Sequence, residues 1–268
     1  MADSAKFRCF DFVSSSLFDE SNESAAFFSP VCAPSASDNG SFVSLFEKFR
    51  LSDLVISMPA EPGNSNLKIQ KPDTNISFYS GVEITPSGDL TSHIQKSRKK
   101  ADFLSVRSAD EKMIRSAVES AHVDLINPIS ISIRDKGYPN GNYNTAIGQI
   151  NHIVAKLAAD NHVAFGFDLF PFLQTRGFRR SRLFAGVFDM IPILQKYDVP
   201  ILISSGAKSV YDLRDSYELI AFGELLGLSQ ADAQKAVFEF PKKIIEERQK
   251  ILSGQKLSNG VEIDDNAD

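Results

Sequence analysis

The stretch PILISSGAKSVYDLRDSYELIAFGELLGLSQADA, from Pro200 to Ala233, is the most informative part of the chain. Pro200–Ile203 is a short apolar run of the kind that fills a strand buried on both faces. The small residues Ser204–Ala207 follow it and let another backbone or a phosphate come close. Apolar positions at helical spacing then predict a helix that ends before Gly227, and Ser229 begins a second helix. The stretch therefore predicts a strand, a loop and two helices.

Apolar segments alternate with helical patterns along the rest of the chain, which is typical of repeated βα units and a parallel sheet. A chain of 268 residues can form one such fold, because α/β barrels run to about 250 residues as a single domain. We therefore expect an α/β fold, a TIM-like barrel of about seven or more strands with its helices outside. The predicted strands are Phe7–Phe12, Asp53–Met58, Ile76–Ile84, Asp102–Val106, Val123–Ile126, Val163–Leu169 and Pro200–Ile203.

The predicted domain spans residues 1–252. Residues 14–40 and 59–75 interrupt the pattern with serine, alanine, proline and glycine, so we expect loop insertions there. A smaller extra piece, Lys136–Tyr143, precedes the central helix. The acidic tail, residues 253–268, is expected to be disordered.

Apolar stripes predict three more helices, each with one face against the sheet. Ser108 and Glu111 have the spacing of a capping box, which predicts the start of the first of them. The three stripes are Met113, Ile114, Ala117, Val118 and Ala121, then Ile147, Ile150, Val154, Leu157 and Ala158, and finally Phe184, Val187, Phe188, Ile191 and Leu194.

Composition argues against several classes of protein. No uncharged apolar run approaches the roughly 18 residues that a membrane span requires, and the first residues lack the apolar core of a secretory signal. Cys9 and Cys32 are the only cysteines and have no metal-like spacing. We therefore expect a cytoplasmic protein without a membrane contact. The net charge of −5 means that binding to nucleic acid would have to come from a local basic patch.

The densest positive patch has four arginines within seven residues and no acid among them. It follows the predicted strand that ends at Leu169, so in a barrel it would lie on the carboxyl-terminal face, where such folds place ligand contacts. Guanidinium groups match phosphate oxygens, whereas arginine at a helix N-terminus opposes the helix dipole. We favour anion contact over the alternative, a solvated helix start paired with nearby acids. The four residues are Arg176, Arg179, Arg180 and Arg182.

Lys208 and Arg214 flank the loop Ser204–Ala207 at the end of the next strand, beside these arginines. One interpretation is contact with RNA phosphates, with Ser204 and Ser205 as neutral hydrogen-bond donors. The other is that the loop packs the barrel rim while Arg214 pairs with an acid. The candidate acids are Asp212, Asp215 and Glu218.

The opening stretch resembles the ribonuclease P protein component 3 family, which includes the thirty-kilodalton subunit of eukaryotic RNase P and MRP. The residues that carry the resemblance are Ser204–Ala207, Asp212–Arg214 and the turn Leu225–Ser229. Farther back, Ile150–Ala164 is similar to the family's central helix and the strand after it. The resemblance covers about Val82 to Phe240.

This resemblance implies a fold similar to the polymerase and histidinol phosphatase (PHP) barrels. It also implies a role as a protein subunit of ribonuclease P, the ribonucleoprotein endonuclease that removes the 5′ leader of precursor tRNA. In that enzyme the RNA carries the chemistry with magnesium ions, so this chain would bind no cofactor and have no catalytic residue of its own. The implied partners are the catalytic RNA, a ferredoxin-like RNase P protein that forms a heterotetramer of two pairs with it, other RNase P protein subunits, and precursor tRNA.

The main alternative is a PHP-like metal-dependent phosphoesterase. Such enzymes begin with His-x-His at the end of their first strand, whereas Phe10–Val13 offers one carboxylate and no imidazole. His93, His122, His152 and His162 never lie two residues apart, so ligands for three ions cannot be assembled. A sparser site stays open, with Asp11, Glu83 and Asp168. Two further alternatives are a metabolic barrel that holds a phosphorylated metabolite at Ser204–Ala207 and a protein scaffold without RNA contact.

Two other polar groups have both a functional and a structural interpretation. Asn151 and His152 match a family motif, but a polar pair that opens a helix also bonds to loop backbone. A second basic cluster either contacts RNA or complements the negative C-terminus of a helix. We favour the second interpretation, because the cluster precedes a strand and would lie on the amino-terminal face of the predicted barrel. Its members are Lys96, Arg98, Lys99 and Lys100.

Overall fold

A computed structural model describes residues 9–14, 51–59, 77–86, 88–98, 101–133, 143–207, 212–252, 256–258 and 261–262. Most of both predicted insertions lies outside these ranges, as do residues 136–142 of the extra piece. Lys99, Lys100 and Lys208 also lie outside them. Among the described residues, none of the helices is long and apolar enough to cross a membrane.

The centre of the fold is a parallel sheet of seven strands that pair in the order in which they occur along the chain. The predictions of an α/β fold and of a parallel sheet are confirmed. The strands at the two ends of this order, the first and the seventh, also lie beside each other, with Cα atoms within 8 Å. The seven are β1 (Cys9–Ser14), β2 (Leu51–Pro59), β3 (Ser77–Ile84), β4 (Phe103–Arg107), β5 (Leu125–Asn127), β8 (Ala164–Asp168) and β9 (Ile201–Ser204).

Four of these strands are almost entirely buried, namely β4, β5, β8 and β9. A strand that is covered on both faces needs apolar residues on both, so its sequence is a continuous apolar run without alternation. The largest side chains in its interior include Phe103, Phe165 and Phe167, each 0% exposed. This explains why short apolar runs located the strands correctly in the sequence.

From β3 onward, the described helices lie between consecutive strands of the sheet or follow its last strand, and they pack against it. The first three of these are α1 (Leu90–Arg98), α2 (Glu111–Val118) and α3 (His152–Asp160). They are followed by α4 (Phe170–Gln174), α5 (Gly177–Lys196), α6 (Ser216–Leu225) and α7 (Gln230–Gln234). One turn of π-helix, Lys235–Glu239, leads into α8 (Phe240–Leu252). In the expected disordered tail, β10 (Lys256–Ser258) and β11 (Val261–Glu262) form a short antiparallel pair.

The helix starts at the opening stretch are confirmed, but the start of α2 is not. Asp215 caps α6 in a complete capping box with Glu218, and Gly227 adopts a φ of +100° after its end. The cap of α2 is Asp110, whose carboxylate accepts hydrogen bonds from two backbone N–H groups. Ser108 instead accepts a hydrogen bond from the Asp110 N–H at 3.1 Å. The prediction was wrong because two good capping residues lie two positions apart and the loop geometry selects the second.

An antiparallel hairpin of β6 (Ile129–Ile133) and β7 (Tyr143–Ile147) stands at the carboxyl end of the sheet and was not predicted. Ile147, predicted as the first residue of a helical stripe, ends β7, and α3 begins only at His152. The hairpin packs on α5, where a Cβ added to Gly186 would lie 2.8 Å from Ile147 Cδ1. The alternation Ile-Ser-Ile-Ser-Ile in β6 is the period-two signal that would have revealed it.

Replacing Asp215 with alanine should lower the free energy of unfolding by about 1 kcal/mol, because the Glu218 N–H loses its acceptor. Thermal unfolding would then move down by roughly 2–4 °C for a domain of this size. Asp189→Ala is the control, since this exposed residue lies inside α5, where alanine is favourable. An equal shift in both variants would contradict the capping role.

Candidate functional site

Five polar residues converge where the strands of the sheet end. They come from five different strands, and parallel strands bring their carboxyl ends to the same edge of the sheet. This edge is where folds of this class place their ligand contacts. We call these residues the polar cluster: Glu83 of β3, Arg107 of β4, Asn127 of β5, Asp168 of β8 and Ser204 of β9.

Arg107 is the centre of the polar cluster. Its Nη2 lies 2.7 Å from Glu83 Oε2 and 2.5 Å from Asp168 Oδ2, so one cation bridges two carboxylates. Its Nη1 donates a hydrogen bond to the carbonyl of Ile129, at the base of the hairpin, at 3.0 Å. The Arg107 side chain is only 16% exposed. A single guanidinium thus joins β3, β4, β8 and the hairpin.

Asp168 receives hydrogen bonds on both carboxylate oxygens. Besides Arg107, the Asn127 side-chain amide donates to its Oδ2 at 2.7 Å, and the Ser204 hydroxyl donates to its Oδ1 at 2.5 Å. The Asn127 Oδ1 in turn accepts a hydrogen bond from the Ile129 N–H at 3.3 Å. Such pairing is needed, because a buried carboxylate without partners would be strongly destabilising.

The charge of Arg107 is fixed by its neighbours. Burial alone would disfavour the charged guanidinium, but the attraction of Glu83 and Asp168 outweighs burial and raises the pKa of Arg107 above its ordinary value. Arg107 therefore stays charged throughout the physiological pH range and cannot act as a proton donor or acceptor there. Its role in the cluster is to balance charge.

The loop after β9 closes over the polar cluster. Gly206 has a φ of +58°, and a Cβ at this position would lie 2.6 Å from Asp168 Cβ, so only glycine fits without a shift. Ser204 and Ser205 are 3% and 0% exposed, and the Ser205 hydroxyl accepts a hydrogen bond from the Ala207 N–H. Both serines are therefore buried at this edge of the sheet, and the Ser204 hydroxyl is already engaged with Asp168.

The four arginines of the predicted positive patch lie at the same end of the fold, at the start of α5. We call Arg176, Arg179, Arg180 and Arg182 the arginine cluster. Arg176 is the residue before this helix, and Arg176, Arg179 and Arg182 are exposed. Arg180 is half-buried, and its Nε donates a hydrogen bond to the Thr175 carbonyl at 2.6 Å. Three of the four arginines thus face solvent, while the fourth fastens the helix to the preceding loop.

Two of the other predicted basic residues, Arg214 and Arg98, already have polar partners within the fold. Arg214 donates a hydrogen bond to the Leu213 carbonyl at 2.6 Å and lies 3.9 Å from Glu218, one of its candidate acids. Lys208 lies outside the described residues. At the opposite end of the sheet, Arg98 is 7% exposed and pairs with Asp124 at 2.5 Å, so it has a structural role there.

Asn151 has a structural role as well. Its side-chain oxygen caps α3 by accepting hydrogen bonds from the Ile153 and Val154 N–H groups, at 3.0 and 2.9 Å. Its side-chain amide donates a hydrogen bond to Glu111 at 3.0 Å. The neighbouring His152 ring lies 5.7 Å from the Tyr197 ring.

The polar cluster does not fit the metal ions of a phosphoesterase. Glu83 and Asp168, two ligands of the sparse site considered above, both form ion pairs with Arg107, so a metal ion would have to compete with the guanidinium for their oxygens. Asp11 is described only as part of the β1 backbone. Across the described ranges, no group of three His, Cys, Asp or Glu side chains could hold a metal ion.

Sequence reasoning singled out Glu83 and Asp168 but missed Arg107 and Asn127. Each of the two missed residues is the last residue of its strand. A polar residue directly after a buried apolar run at the carboxyl end of a parallel strand is the signal that could have found them. Their pairing, however, depends on which strands are neighbours.

Comparison with known proteins identifies the family. Residues 44–251 match the family model described as RNase P subunit p30. Ribonuclease P protein component 3 of Methanococcoides burtonii is 35% identical over 174 residues, which cover 64% of this chain and 66% of the relative. The protein of the same name from Methanosarcina acetivorans is 37% identical over 164 residues, or 61% of this chain and 63% of the relative. The chain thus spans just under two thirds of the length of these curated relatives.

The fold has a counterpart among solved structures. A chain of the cryo-EM structure of archaeal ribonuclease P with mature tRNA superposes with a TM-score of 0.67 at 20% identity. The superposition covers 97% of this chain and 99% of the other. At this identity the likeness concerns the fold. The family model, by contrast, matches most of the sequence itself, and we conclude that the chain belongs to the RNase P subunit p30 family.

Proposed function

We propose that this chain is a protein subunit of ribonuclease P and supports the catalytic RNA in removing the 5′ leader of precursor tRNA. The observation that carries the proposal is the family match across residues 44–251, which includes six of the seven strands and the whole arginine cluster. Relatives that share more than a third of the aligned residues have the name of an RNase P component.

We also propose that the sheet closes into a TIM-like barrel, similar to the PHP barrels. Two features support closure: the seven parallel strands pair in chain order, and β1 approaches β9. A closed barrel would place the loops after β8 and β9 side by side on one face. The arginine cluster and the loop Ser204–Ala207 would then form one surface.

We infer that this chain contributes no catalytic residue, so that the RNA, with its magnesium ions, carries the chemistry. The support is the polar cluster, whose two carboxylates are already neutralised in part by Arg107. A carboxylate that is held by a guanidinium is a poor ligand for a divalent ion, because the two cations compete for the same oxygens. The cluster therefore suits a structural role.

The RNA contact in this proposal is made by exposed arginines at the start of α5. Arg176, Arg179 and Arg182 lie on a surface with no acidic residue in the first turn of the helix. Lys208 and Arg214 are proposed as secondary contacts. Ser204 and Ser205 would act indirectly by supporting the rim, since both are buried.

The net charge of the chain supports the expectation that a partner protein takes part in RNA binding. With a net charge of −5, most of its surface would repel RNA, so a partner protein would have to supply much of the RNA contact. From the resemblance to the family, we propose that this partner is the ferredoxin-like RNase P protein, in a heterotetramer of two pairs that joins the other subunits in the cytoplasm.

Reconstitution of precursor-tRNA cleavage tests the proposed function directly. The catalytic RNA, the partner protein and magnesium would be combined with and without this chain. We expect the chain to increase the cleavage rate at limiting magnesium, because a protein that stabilises the folded RNA reduces its need for cations. No effect of the chain on rate or on magnesium dependence, with a partner that is active with a known relative, would refute the proposal.

The triple variant Arg176→Gln, Arg179→Gln, Arg182→Gln should bind the catalytic RNA at least tenfold more weakly at moderate salt. The slope of log affinity against log salt should become shallower by about two to three, since roughly one counterion is released for each phosphate contact. The matched control is Lys235→Gln, Lys242→Gln, Lys243→Gln, which removes the same charge from exposed positions elsewhere. Equal losses in both variants would mean that net charge alone governs binding.

Replacing Arg107 with methionine should destabilise the fold by about 3 kcal/mol or more, because two carboxylates would be left without their cation. Thermal unfolding should shift downward by roughly 10 °C in consequence. Arg115→Met is the control, since its pair with Glu119 is exposed and contributes less than about 1 kcal/mol. A thermal midpoint that does not change in the Arg107 variant would show that the cluster is not a structural centre.

A further inference from the structure

Phe178 has an aromatic side chain that is not packed in the interior of the fold. It is 77% exposed, more than any other large apolar side chain in the described part of the chain. Other aromatic residues of α5 are tied to the interior: Phe188 stacks on Phe184, whose ring lies 4.8 Å from that of Phe172. Within the described residues, Phe178 takes part in no such ring contact.

The position of Phe178 is held firmly. The preceding Thr175 is 2% exposed, and its hydroxyl donates a hydrogen bond to the Pro171 carbonyl at 2.9 Å. Arg180 binds back to the Thr175 carbonyl, and the Ser181 hydroxyl donates to the Gly177 carbonyl at 3.3 Å. The backbone of the turn that carries Phe178 is thus anchored, while the ring itself remains accessible for a contact.

The surroundings of Phe178 are cationic. Arg176 and Arg179 flank it in sequence, and Arg182 lies four residues farther on, on the same face of the helix. The first turn contains no acid. A flat apolar ring among guanidinium groups complements a ligand with an aromatic face and negative charges on both sides of it. A nucleotide in a single strand has this chemistry, with its base between two phosphates.

We propose that Phe178 stacks on an unpaired base of the RNA, while Arg176 and Arg182 bind the phosphates that flank this base. The surface formed by Phe178 and the arginine cluster would therefore recognise a single-stranded or bulged segment of RNA. A continuous helix would not fit, since its bases are stacked on one another and offer no free face. This inference rests on the proposed function and adds the class of RNA that this surface binds.

The chain contains no tryptophan, so Phe178→Trp places a single fluorescent reporter at the proposed contact. The probes are a single-stranded RNA of about ten nucleotides and mixed sequence, within the usual range of site sizes, and a blunt duplex of the same length. We expect the single strand to quench the tryptophan emission and the duplex to leave it nearly unchanged. Equal responses to both probes would overturn the proposal.

Substitutions at Phe178 distinguish stacking of its ring on an RNA base from packing of the ring in a protein interface. Phe178→Ala should weaken binding of the single strand about tenfold, as expected for the loss of one stacked base. Phe178→Tyr should retain the affinity of the original chain, whereas Phe178→Leu should behave like the alanine variant, because leucine is apolar but has no aromatic face. The control is Tyr217→Ala, which removes a 62% exposed aromatic residue that lies between the acids Asp215 and Glu218. This control should bind RNA normally.

The outcomes distinguish this inference from the proposed function. If the original chain supports cleavage and binds RNA but all Phe178 variants bind equally, the stacking role fails and the subunit role stands. If Phe178→Leu keeps RNA affinity while Phe178→Ala loses binding to the partner protein, the surface is a protein interface and the inference is wrong. If the original chain neither binds RNA nor supports cleavage, both fail together.

Discussion

The bridge that Arg107 makes between Glu83 and Asp168 is the contact on which the carboxyl end of this fold depends. It joins strands that are far apart in the sequence and also holds the base of the hairpin through the Ile129 carbonyl. Asp168, whose side chain is 8% exposed, would be unstable without a cation, and the buried guanidinium would be unstable without a carboxylate. The observed arrangement of the strand ends pairs all three charges.

This arrangement occupies polar side chains that could otherwise bind a ligand at the carboxyl edge of the sheet. In α/β folds this edge commonly holds a ligand, because the loops converge there and the interior below it is closed. Here the side chains of the polar cluster satisfy one another, and Gly206 brings the next loop directly onto Asp168. The proposed RNA contact therefore lies farther out, at the first turn of α5.

The outer surface carries a local positive charge on an acidic chain. Three arginines of one short segment face solvent, and the fourth ties this segment to a buried threonine. This segment follows Asp168 directly along the chain through α4, so the arginine cluster lies close in sequence to the polar cluster. If this surface binds RNA as proposed, the negative net charge of the chain would disfavour non-specific contacts elsewhere.

The amino-acid sequence by itself determined the features that depend on neighbours along the chain. The seven apolar runs became the seven strands, Asp215, Gly227 and Ser229 ended or began helices as predicted, and the arginines follow β8. A strand that is buried on both faces needs a continuous apolar run, and a helix end needs a capping residue close by in the sequence. Both features are therefore visible in a short stretch of sequence. The approach of Arg107 to Asp168, 61 residues away, was decided only by the tertiary structure. So were the burial of Ser204 and Ser205 and the exposure of Phe178, because strand order and loop packing determine which polar groups meet and which aromatic ring stays in solvent.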